Sequence, residues 1–537
     1  MKERGMPSQS SRYAGPGWSA ASGWRVDRLV PPSRLFGANG LRGGPDGLLY
    51  VAQVVGSQVT AVDPDSGLVA PFSPMGDGII GPDDLTFDDE GNLYCAEFTE
   101  GRVSMRTPDG RTQIIRDDLP GSNPISWHQG RLLSGECRPG GRIMEIDRAG
   151  GAPRLLLDDV PMPNAFDVGP DRKLYFPVMM PGEIWRIDLE GGSPEVVARG
   201  LAMPDSVKFD HDGMMVATQV MSGDVLRIDP TDGAKTVLAR LRPGLDNCAF
   251  IGERLFVSHI DGSIHEIGVQ GQVREVVPDG LNWPMGLACA ADGALLVADG
   301  LFGHVWRSGA APRQAGMQTD AGFPGFLRGV AAGGLGEWIV TTANGDVARW
   351  WPQEGRNAPI ASGFDQLMGI VSVDGGHAVA EYGRGRVLLL TDGATETLAK
   401  GLDRPTGLAV DGDALIIAET GAGRVLRLSG GQYEVLLDGL GSPEGLACVD
   451  GRLFVLDVDR KALLSLPATG GPAQIIAKDL PVGAPPGVPL QYLNGYGLFS
   501  GPLLRFAGLA ADAAGTIYVA TDGEGAILAV RADPTGE

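Results

Sequence analysis

The amino-acid sequence predicts an all-β protein that folds as two tandem six-bladed β-propellers, twelve four-stranded blades in all. Two observations support this prediction. A segment of about 40 residues recurs along nearly the whole chain, and each copy contains short Val-, Ile- and Leu-rich runs between turns rich in Gly, Asp and Pro. Repeats of this length with four short strands are typical of propeller blades, and no stretch shows a capped amphipathic helical stripe.

The repeat is clearest in two adjacent segments, MPNAFDVGPDRKLYFPVMMPGEIWRIDLEGG from Met162 and MPDSVKFDHDGMMVATQVMSGDVLRIDPTDG from Met203. The first apolar residue of the opening strand serves as a marker, and it recurs at Leu41, Leu85, Ile125, Phe166, Val207, Cys248, Leu287, Val330, Ile370, Leu408, Leu446 and Leu509. Ten of the eleven intervals lie between 38 and 44 residues. Because one ring usually contains four to eight blades, twelve units predict two rings of six.

The predicted domains are a disordered tail (1–23), a first propeller (24–270) and a second propeller (271–537). Trp24–Val30 resembles the outer strand of a blade, and we expect it to close the first ring beside Ile264–Ile267, which removes a sheet edge. Val273–Val277 would close the second ring in the same way. The long interval before Leu509 contains an insertion, residues 479–505, which is either a lid or inter-domain contact or a packed surface loop.

Net charge and composition limit the classes of binding partner that the protein is expected to have. The net charge of −22 argues against nucleic acid and anionic membranes, so we expect a small-molecule substrate. The five cysteines form no disulfide framework, and only Cys137 is placed to face a site. The sequence shows neither a signal peptide nor a run of 18 apolar residues, which predicts a cytoplasmic protein without a membrane span.

Short polar side chains are predicted to converge at one end of the first ring's central channel. The first strand of each blade lines that channel, so the residue two before each marker, the mouth position, lies at its end. In the first ring this position holds Asn39, Asp83, Asn123, Asn164, Asp205 and Asp246. In the second ring it holds Met285, Arg328, Met368, Thr406, Glu444 and Ala507, where we expect Arg328 and Glu444 to form a structural pair.

Six carboxylate and carboxamide side chains on one axis predict a site for one divalent cation. Three desolvated Asp side chains repel one another, and a hard cation relieves that repulsion. We expect Ca²⁺ first, with Zn²⁺, Mg²⁺ and Mn²⁺ as alternatives. A simpler explanation is that each side chain caps its own loop through local hydrogen bonds. That explanation does not account for a pattern that fills one ring and is missing from the other.

The second strands return to the same mouth, and their ends hold Gln53, Glu97, Glu136, Val178, Gln219 and His259. Glu97, Glu136 and His259 are titratable and are therefore candidate catalytic acid–base groups. The sequence has no His-x-x-x-His, paired-Cys or Gly-x-Ser-x-Gly pattern, so zincin, zinc-finger and serine-hydrolase sites are not supported.

The segments SNPISW, MPNAFDVGPDRKLYF and MPDSVKFDHDGMMVA resemble the gluconolactonase/senescence-marker-protein-30 family of six-bladed propellers. The resemblance implies one divalent cation held by Asn123, Asn164 and Asp205, with Asp205 also the base for water attack on a lactone carbonyl. The family's Glu in the first blade is replaced by Asn39, and Asp83 or Asp246 could supply the missing carboxylate. In the second half, AETGAGRV and AEYGRGRV resemble NHL-type and streptogramin-lyase-like blades.

Three functions follow from these observations. The first is a metal-dependent hydrolase that opens a lactone or related cyclic ester, in which the metal polarises the carbonyl and Asp205 activates water. The second is a metal-dependent lyase of the streptogramin-opening kind, in which His259, Glu97 or Glu136 abstracts a proton. The third is a binding scaffold without enzymatic activity, because the propeller fold does not itself select a chemistry.

Overall fold

A computed structural model describes residues 7–13, 15–391, 393–484 and 506–533. It confirms the fold class: the chain forms twelve antiparallel sheets arranged as two β-propellers. Within the described residues, the helical content is a single 3-10 turn at Pro352–Glu354. Most of the predicted insertion, residues 485–505, lies outside the described residues. No helix of the described chain has the length and apolar character needed to cross a membrane.

The chain divides into two compact units. Residues 33–280, joined by residues 7–12, form the first, and residues 281–484 and 506–533, joined by the segment that ends at residue 32, form the second. Each unit contains six of the twelve sheets. The predicted boundary near residue 270 therefore moves to 280.

The blades of the first unit are built from consecutive strands. Numbered in chain order, they are blade 1, Leu41–Gly43, Leu49–Gln53, Gln58–Val62 and Val69–Ser73; blade 2, Pro82–Phe87, Leu93–Glu97, Arg102–Arg106 and Thr112–Arg116; blade 3, Ser122–His128, Arg131–Glu136, Gly141–Ile146 and Arg154–Val160; blade 4, Asp167–Val168, Lys173–Val178, Glu183–Asp188 and Glu195–Ala198; blade 5, Pro204–Phe209, Met215–Gln219, Asp224–Ile228 and Lys235–Arg240; and blade 6, Leu245–Ile251, Arg254–His259, Ile264–Ile267 and Val273–Val277.

The second unit repeats this plan, with two additions from the N-terminal segment. Its strands are blade 7, Leu287–Cys289, Leu295–Asp299, Phe302–Trp306 and Arg313–Met317; blade 8, Leu327–Ala332, Trp338–Thr342, Val347–Trp351 and Arg356–Ala361; blade 9, Leu367–Val373, Gly376–Glu381, Arg386–Thr391 and Ala394–Lys400; blade 10, Pro405–Asp411, Ala414–Glu419, Arg424–Ser429 and Gln432–Leu437; blade 11, Pro443–Val449, Arg452–Asp457, Ala462–Pro467, Gln474–Lys478 and the added Ser19–Ala20; and blade 12, Leu509–Ala511, Ile517–Thr521, Ala526–Ala532 and the outer strand Trp24–Val30.

The predicted closure of the rings was wrong. Trp24–Val30 pairs with Ala526–Ala532 and completes blade 12 of the second ring. Val273–Val277 pairs with Ile264–Ile267, so blade 6 takes its outer strand from the adjacent segment. Both outer strands have the same sequence pattern, but a hairpin within blade 6 closes a far shorter loop and costs less chain entropy. Within the described residues, blade 12 is the one with three consecutive strands of its own, and its fourth comes from a distant part of the chain.

The tail predicted to be disordered is partly ordered. Ser19–Ala20 extends blade 11 by pairing with Lys478 and Ala477. Gln9 forms an isolated bridge with Val69 in blade 1. Each terminal addition covers the outer edge of a blade, where unpaired backbone groups would otherwise face solvent.

The core of each ring lies between neighbouring blades. The second strand of each blade contributes much of this core. Every residue of Leu93–Glu97 and of Ala414–Glu419 is buried, because each of these strands has a neighbouring blade on both faces. The first ring closes without an exchanged strand, since Ser258 Oγ of blade 6 donates to the Asn39 carbonyl of blade 1 at 2.7 Å. This closure places the mouth positions of all six blades around one axis.

Candidate functional site

Four mouth side chains of the first ring form a continuous hydrogen-bonded chain across blades 2 to 5. Asn123 Nδ2 donates to Asp83 Oδ2 at 2.9 Å and to Asn164 Oδ1 at 2.8 Å. Asn164 Nδ2 in turn donates to Asp205 Oδ2 at 2.9 Å. The structure therefore brings together side chains that are about 40 residues apart in sequence.

The other two mouth side chains pair across the point where the ring closes. Asn39 Nδ2 of blade 1 donates to Asp246 Oδ2 of blade 6 at 3.2 Å. Asn39 Oδ1 accepts a hydrogen bond from the backbone N–H of Val54. All six predicted mouth residues thus lie in one of two cross-blade networks.

Local capping explains only part of these contacts. Asn164 Oδ1 accepts from the N–H of the following residue, Ala165, at 2.8 Å, as the capping alternative predicts. The same oxygen also accepts from Asn123 in the neighbouring blade. Because the amide groups join blades as well as capping loops, the ring is a shared structure and not six independent turns.

The mouth carboxylates are held in an unfavourable environment. Burial raises the pKa of Asp83 to about 7; the charge of Asp84 adds to the effect and the hydrogen bond from Asn123 opposes it. Burial, followed by the charges of Asp83 and Asp84, raises the pKa of Asp205 well above its usual range. The pKa of Asp246 rises for the same reasons, with the charge of Asp205 the largest contribution after burial. Mutual repulsion in a desolvated ring is what a bound cation would relieve.

Asp84 is a site residue that the sequence analysis missed. Its side chain is fully buried one position beyond the mouth. Its Oδ2 accepts from the N–H of Ile125 at 3.1 Å, and Asn247 Nδ2 lies 3.4 Å from its Oδ1. The consecutive Asp83–Asp84 pair was the available signal, since the corresponding position in the other five blades of the ring is uncharged.

The side chains present fit an oxygen-liganded divalent cation. Asn123 Oδ1 is buried and has no hydrogen-bond partner among the described residues. Hard cations such as Ca²⁺ and Mg²⁺ take carboxylate and carboxamide oxygens. Across residues 7–13, 15–391, 393–484 and 506–533, no group of three or more His, Cys, Asp or Glu side chains is arranged to hold a metal ion. Ligands for such a cation would therefore have to include the carboxamides.

Glu97 is engaged in a structural contact and not in the mouth network. Its Oε2 accepts from the Ile80 N–H at 2.8 Å and from Arg102 Nε at 2.6 Å. Burial raises the pKa of Glu97 to about 7, although Arg102 opposes this change. Its side chain secures the segment that leads into the first strand of its own blade.

Glu136 and His259 are also held by neighbouring groups. Glu136 is fully buried between two guanidinium groups, those of Arg138 and Arg142. His259 Nε2 lies 2.7 Å from the carbonyl oxygen of Pro243, and its Nδ1 lies 2.9 Å from a carboxylate oxygen of Asp261. The structure gives these residues a role in fixing loops, which differs from the acid–base role predicted for them.

The contact that Glu97 makes with the backbone recurs in the second ring. Side chains at the ends of its second strands accept the same backbone N–H bonds, although its mouth lacks the Asn and Asp residues: Asp299 from Asn282, Glu381 from Asp365, Glu419 from Asp403 and Asp457 from Gly441. A comparison of the second-strand ends of both rings would have revealed this from sequence. Acidic residues recur there whether or not the mouth is polar.

Cys137 lies close enough to the mouth for the charges of the Asp side chains there to affect its thiol. Burial, and then the charges of Asp83, Asp205 and Asp246, raise the pKa of the Cys137 thiol well above its ordinary value. A protonated thiol is a poor nucleophile. Cys137 is therefore an apolar wall of the site.

At the mouth of the second ring, the predicted Arg328–Glu444 pair does not form. Glu444 Oε2 accepts from the Ala507 N–H at 2.8 Å. Arg328 Nη1 donates to the Leu367 carbonyl at 3.2 Å, and the guanidinium has no ion pair with any described carboxylate. Each side chain reaches the first-strand segment of the next blade, so the two point to different neighbours.

Residues 126–261 match the family described as SMP-30/Gluconolactonase/LRE-like region. This confirms the resemblance seen in the sequence for that part of the chain, which contains Asn164, Asp205 and Asp246. A comparison with curated proteins found no match. The resemblance of the second half to NHL-type and streptogramin-lyase-like blades stays a prediction.

Several solved structures are similar to the chain. A streptogramin B lyase is 19% identical over 51% of this chain and 94% of its own, with a TM-score of 0.39. A gluconolactonase from Xanthomonas campestris is 16% identical over 44% of this chain and 86% of its own, with a TM-score of 0.37. The structure of a nidogen/laminin complex contains a chain that is 17% identical over 43% and 93%, with a TM-score of 0.39.

Proposed function

We propose that the first propeller is a hydrolase that opens a lactone or a related cyclic ester at its mouth. Asp205 would take the proton from the attacking water. The observation that carries this proposal is the hydrogen-bonded chain from Asp83 through Asn123 and Asn164 to Asp205. Two of these four residues lie inside the segment that matches the SMP-30/gluconolactonase-like family.

Asn164 would set the orientation of the base. Its amide nitrogen holds one oxygen of the Asp205 carboxylate at 2.9 Å, which leaves the other oxygen for water. A general base works best when its pKa lies near the working pH. Burial and the neighbouring carboxylates move the pKa of Asp205 upward, in that direction. The geometry therefore suits a carboxylate that accepts a proton and later releases it.

Asn123, Asn164 and Asp205 would hold a divalent cation, with Asp83 or Asp246 supplying further negative charge. When bound, such a cation would supply Lewis-acid polarisation of the ester carbonyl. The orphaned oxygen of Asn123 is the feature of the chain that best supports this assignment. Cys137 and the surrounding apolar residues would limit the access of bulk water to the reacting group.

The lyase alternative has weaker support. It requires Glu97, Glu136 or His259 to abstract a proton from the substrate. Glu97 and Glu136 are fully buried and ion-paired, and both ring nitrogens of His259 already face protein oxygens. Glu136 and His259 are committed to these contacts. Glu97 is held through Oε2 alone, and its Oε1 is buried without a hydrogen-bond partner among the described residues, so Glu97 is the one of the three with an oxygen left for a substrate.

Asp205→Asn tests the proposal, and Glu444→Gln is its matched control. Both substitutions replace a mouth carboxylate with the corresponding amide, one in each ring. Purified protein loaded with Ca²⁺, Zn²⁺, Mg²⁺ or Mn²⁺ would be assayed against a panel of γ- and δ-lactones. We expect Asp205→Asn to lower turnover by about 10²-fold or more, the usual contribution of a general base, and Glu444→Gln to leave it unchanged. If the wild-type protein opens no lactone with any of the four cations, the proposal is wrong and a binding role is favoured.

A further inference from the structure

The mouth of the second propeller holds a buried cation that has no counter-ion among the described residues. Arg328 is 0% exposed. Its Nη1 donates to the Leu367 carbonyl, but neither its Nε nor its Nη2 has a hydrogen-bond partner in the described parts of the chain. Burial lowers the pKa of Arg328 to about 9, with Tyr382 acting in the opposite direction. An isolated guanidinium in such a place is costly unless an anion accompanies it.

The two unsatisfied atoms are a matched pair. Nε and Nη2 lie on one edge of the planar guanidinium, and their N–H bonds point in nearly the same direction. This edge binds the two oxygens of a carboxylate side by side. The third nitrogen of Arg328 is already fixed by Leu367, which holds the free edge in one orientation.

A second basic residue, Arg404, shares the neighbour Tyr382 with Arg328. Tyr382, which influences Arg328, is also hydrogen-bonded to the side chain of Arg404. The Arg404 guanidinium is about half exposed and is partly neutralised by Asp403 at 3.1 Å. The three side chains of Arg328, Tyr382 and Arg404 come from blades 8, 9 and 10, so they form a patch on one side of the mouth.

Below this mouth, the channel is too narrow for a ligand. The position after the mouth is glycine in all six blades: Gly286, Gly329, Gly369, Gly407, Gly445 and Gly508. A Cβ at each would fall within 2.6 Å of the mouth carbonyl oxygen of the next blade. The cavity lined by these strands is about 30 Å³, and because one water molecule needs about 10–15 Å³ of such space, it holds no more than a few waters. An anion would therefore stay at the mouth, beside Arg328.

We propose that the second propeller binds the carboxylate group of a small organic anion at Arg328, through the free Nε and Nη2 edge. Arg404 and Tyr382 would face the rest of the ligand. The mouth also holds Met285, Met368, Thr406, Ala507 and Glu444. The Glu444 carboxylate accepts from the Ala507 N–H, and the apolar side chains suit a ligand with an apolar body. This site is separate from the mouth of the first ring and does not depend on the function proposed there.

The full-length protein, stripped of metal on a chelating resin, provides the test. Thermal unfolding would be followed in increasing sodium acetate and in sodium chloride of equal ionic strength. Direct binding would be measured by line broadening of ¹³C-acetate, with inorganic phosphate as a competitor. We expect a saturable rise in the unfolding midpoint with acetate beyond that with chloride, and broadening that saturates in the same range.

Three variants distinguish binding by the Nε and Nη2 edge of Arg328 from binding by positive charge alone. Arg328→Met should abolish the acetate response, and Arg328→Lys should weaken acetate binding at least tenfold, because an ammonium group keeps the charge without the paired N–H edge. Arg313→Met removes an exposed arginine of the same propeller and should retain the wild-type response. If Arg328→Met fails to fold, Arg328→Lys and the wild-type measurements decide the outcome.

Several results would overturn the proposal. These are the lack of a saturable acetate response in the wild type, or a response that Arg328→Lys preserves in full. Phosphate that binds more tightly than acetate would overturn the assignment to a carboxylate.

Discussion

Replacing Asp83 with asparagine removes one of three repelling carboxylates at the first mouth while retaining an oxygen that can accept from Asn123. Burial raises the pKa of Asp83 from 3.8 to about 7. The interval between those values corresponds to about 4 kcal/mol, since one pKa unit equals about 1.4 kcal/mol. That figure is the upper limit of the stability that metal-free protein loses by ionising this group.

The direction of the pH dependence follows from the raised pKa. Below about pH 3.8 the Asp83 carboxyl is protonated in both the folded and the unfolded chain, and it imposes no ionisation cost. As the pH rises from there through about 7, the unfolded chain ionises first and the folded state loses stability. Metal-free Asp83→Asn protein should therefore be more stable than wild type at pH 8 by up to about 4 kcal/mol, and by less than about half of that at pH 5.

Hydrogen exchange read by mass spectrometry would measure this effect for each propeller separately. Protection of the buried strands in residues 33–280 should increase in Asp83→Asn at pH 8, while residues 281–484 should not change. Asp117→Asn is the control, because it removes the same charge from an exposed turn. An added divalent cation should reverse the order of stability, since the variant has lost an anionic ligand. Equal protection of wild type and Asp83→Asn at pH 8 without metal would refute the reasoning.

The remaining predictions concern the metal, the second-strand ends and the closure of the second ring. Purified protein should bind one equivalent of divalent cation by elemental analysis, and Asn164→Ala should weaken its affinity so that excess metal partly restores activity. Glu97→Gln and His259→Gln should lower the thermal midpoint while kcat changes less than tenfold; a dead His259→Gln enzyme that is fully folded would favour the lyase instead. Deleting the N-terminal segment through residue 32 should remove hydrogen-exchange protection from Ala526–Ala532, which loses its outer neighbour. It should leave residues 82–280 protected, whereas Val69 also loses its bridge to Gln9.

The repeat was predictable because the residues that indicate each blade lie close together in the sequence. Each blade contains its own strand and turn residues, so the period, the strand order and the two rings followed from the sequence. The closure was not predictable in the same way, because Trp24–Val30 and Val273–Val277 have equivalent outer-strand patterns. The two outer strands are distinguished only by the number of consecutive strands in blade 6 and in blade 12, the last blades of the two rings. Predicting the closure would therefore have required an exact strand count in both blades.

The mouth of the site was predictable for similar reasons, whereas the hydrogen bonds at the ends of the second strands were not. The mouth residues could be found because a register position in a repeat defines a ring, and the cross-blade bonds of Asn123 and Asn164 confirm that they meet. Glu97 and His259 were interpreted as catalytic from residue type and proximity alone. Their hydrogen bonds to loop backbone depend on side-chain direction, which the strand register does not specify.

Two adjacent register positions account for the chemical difference between the propellers. In the first ring the mouth is entirely Asn and Asp, and the next position includes Asp84, which adds negative charge where the channel begins. In the second ring the next position is glycine in every blade, which lets neighbouring strands approach until the channel closes to about 30 Å³. One mouth therefore accumulates oxygen atoms that favour a cation, whereas the other leaves the free edge of Arg328 to favour an anion. The apolar residues of the repeat keep the same scaffold in both rings, while these two positions differ between them.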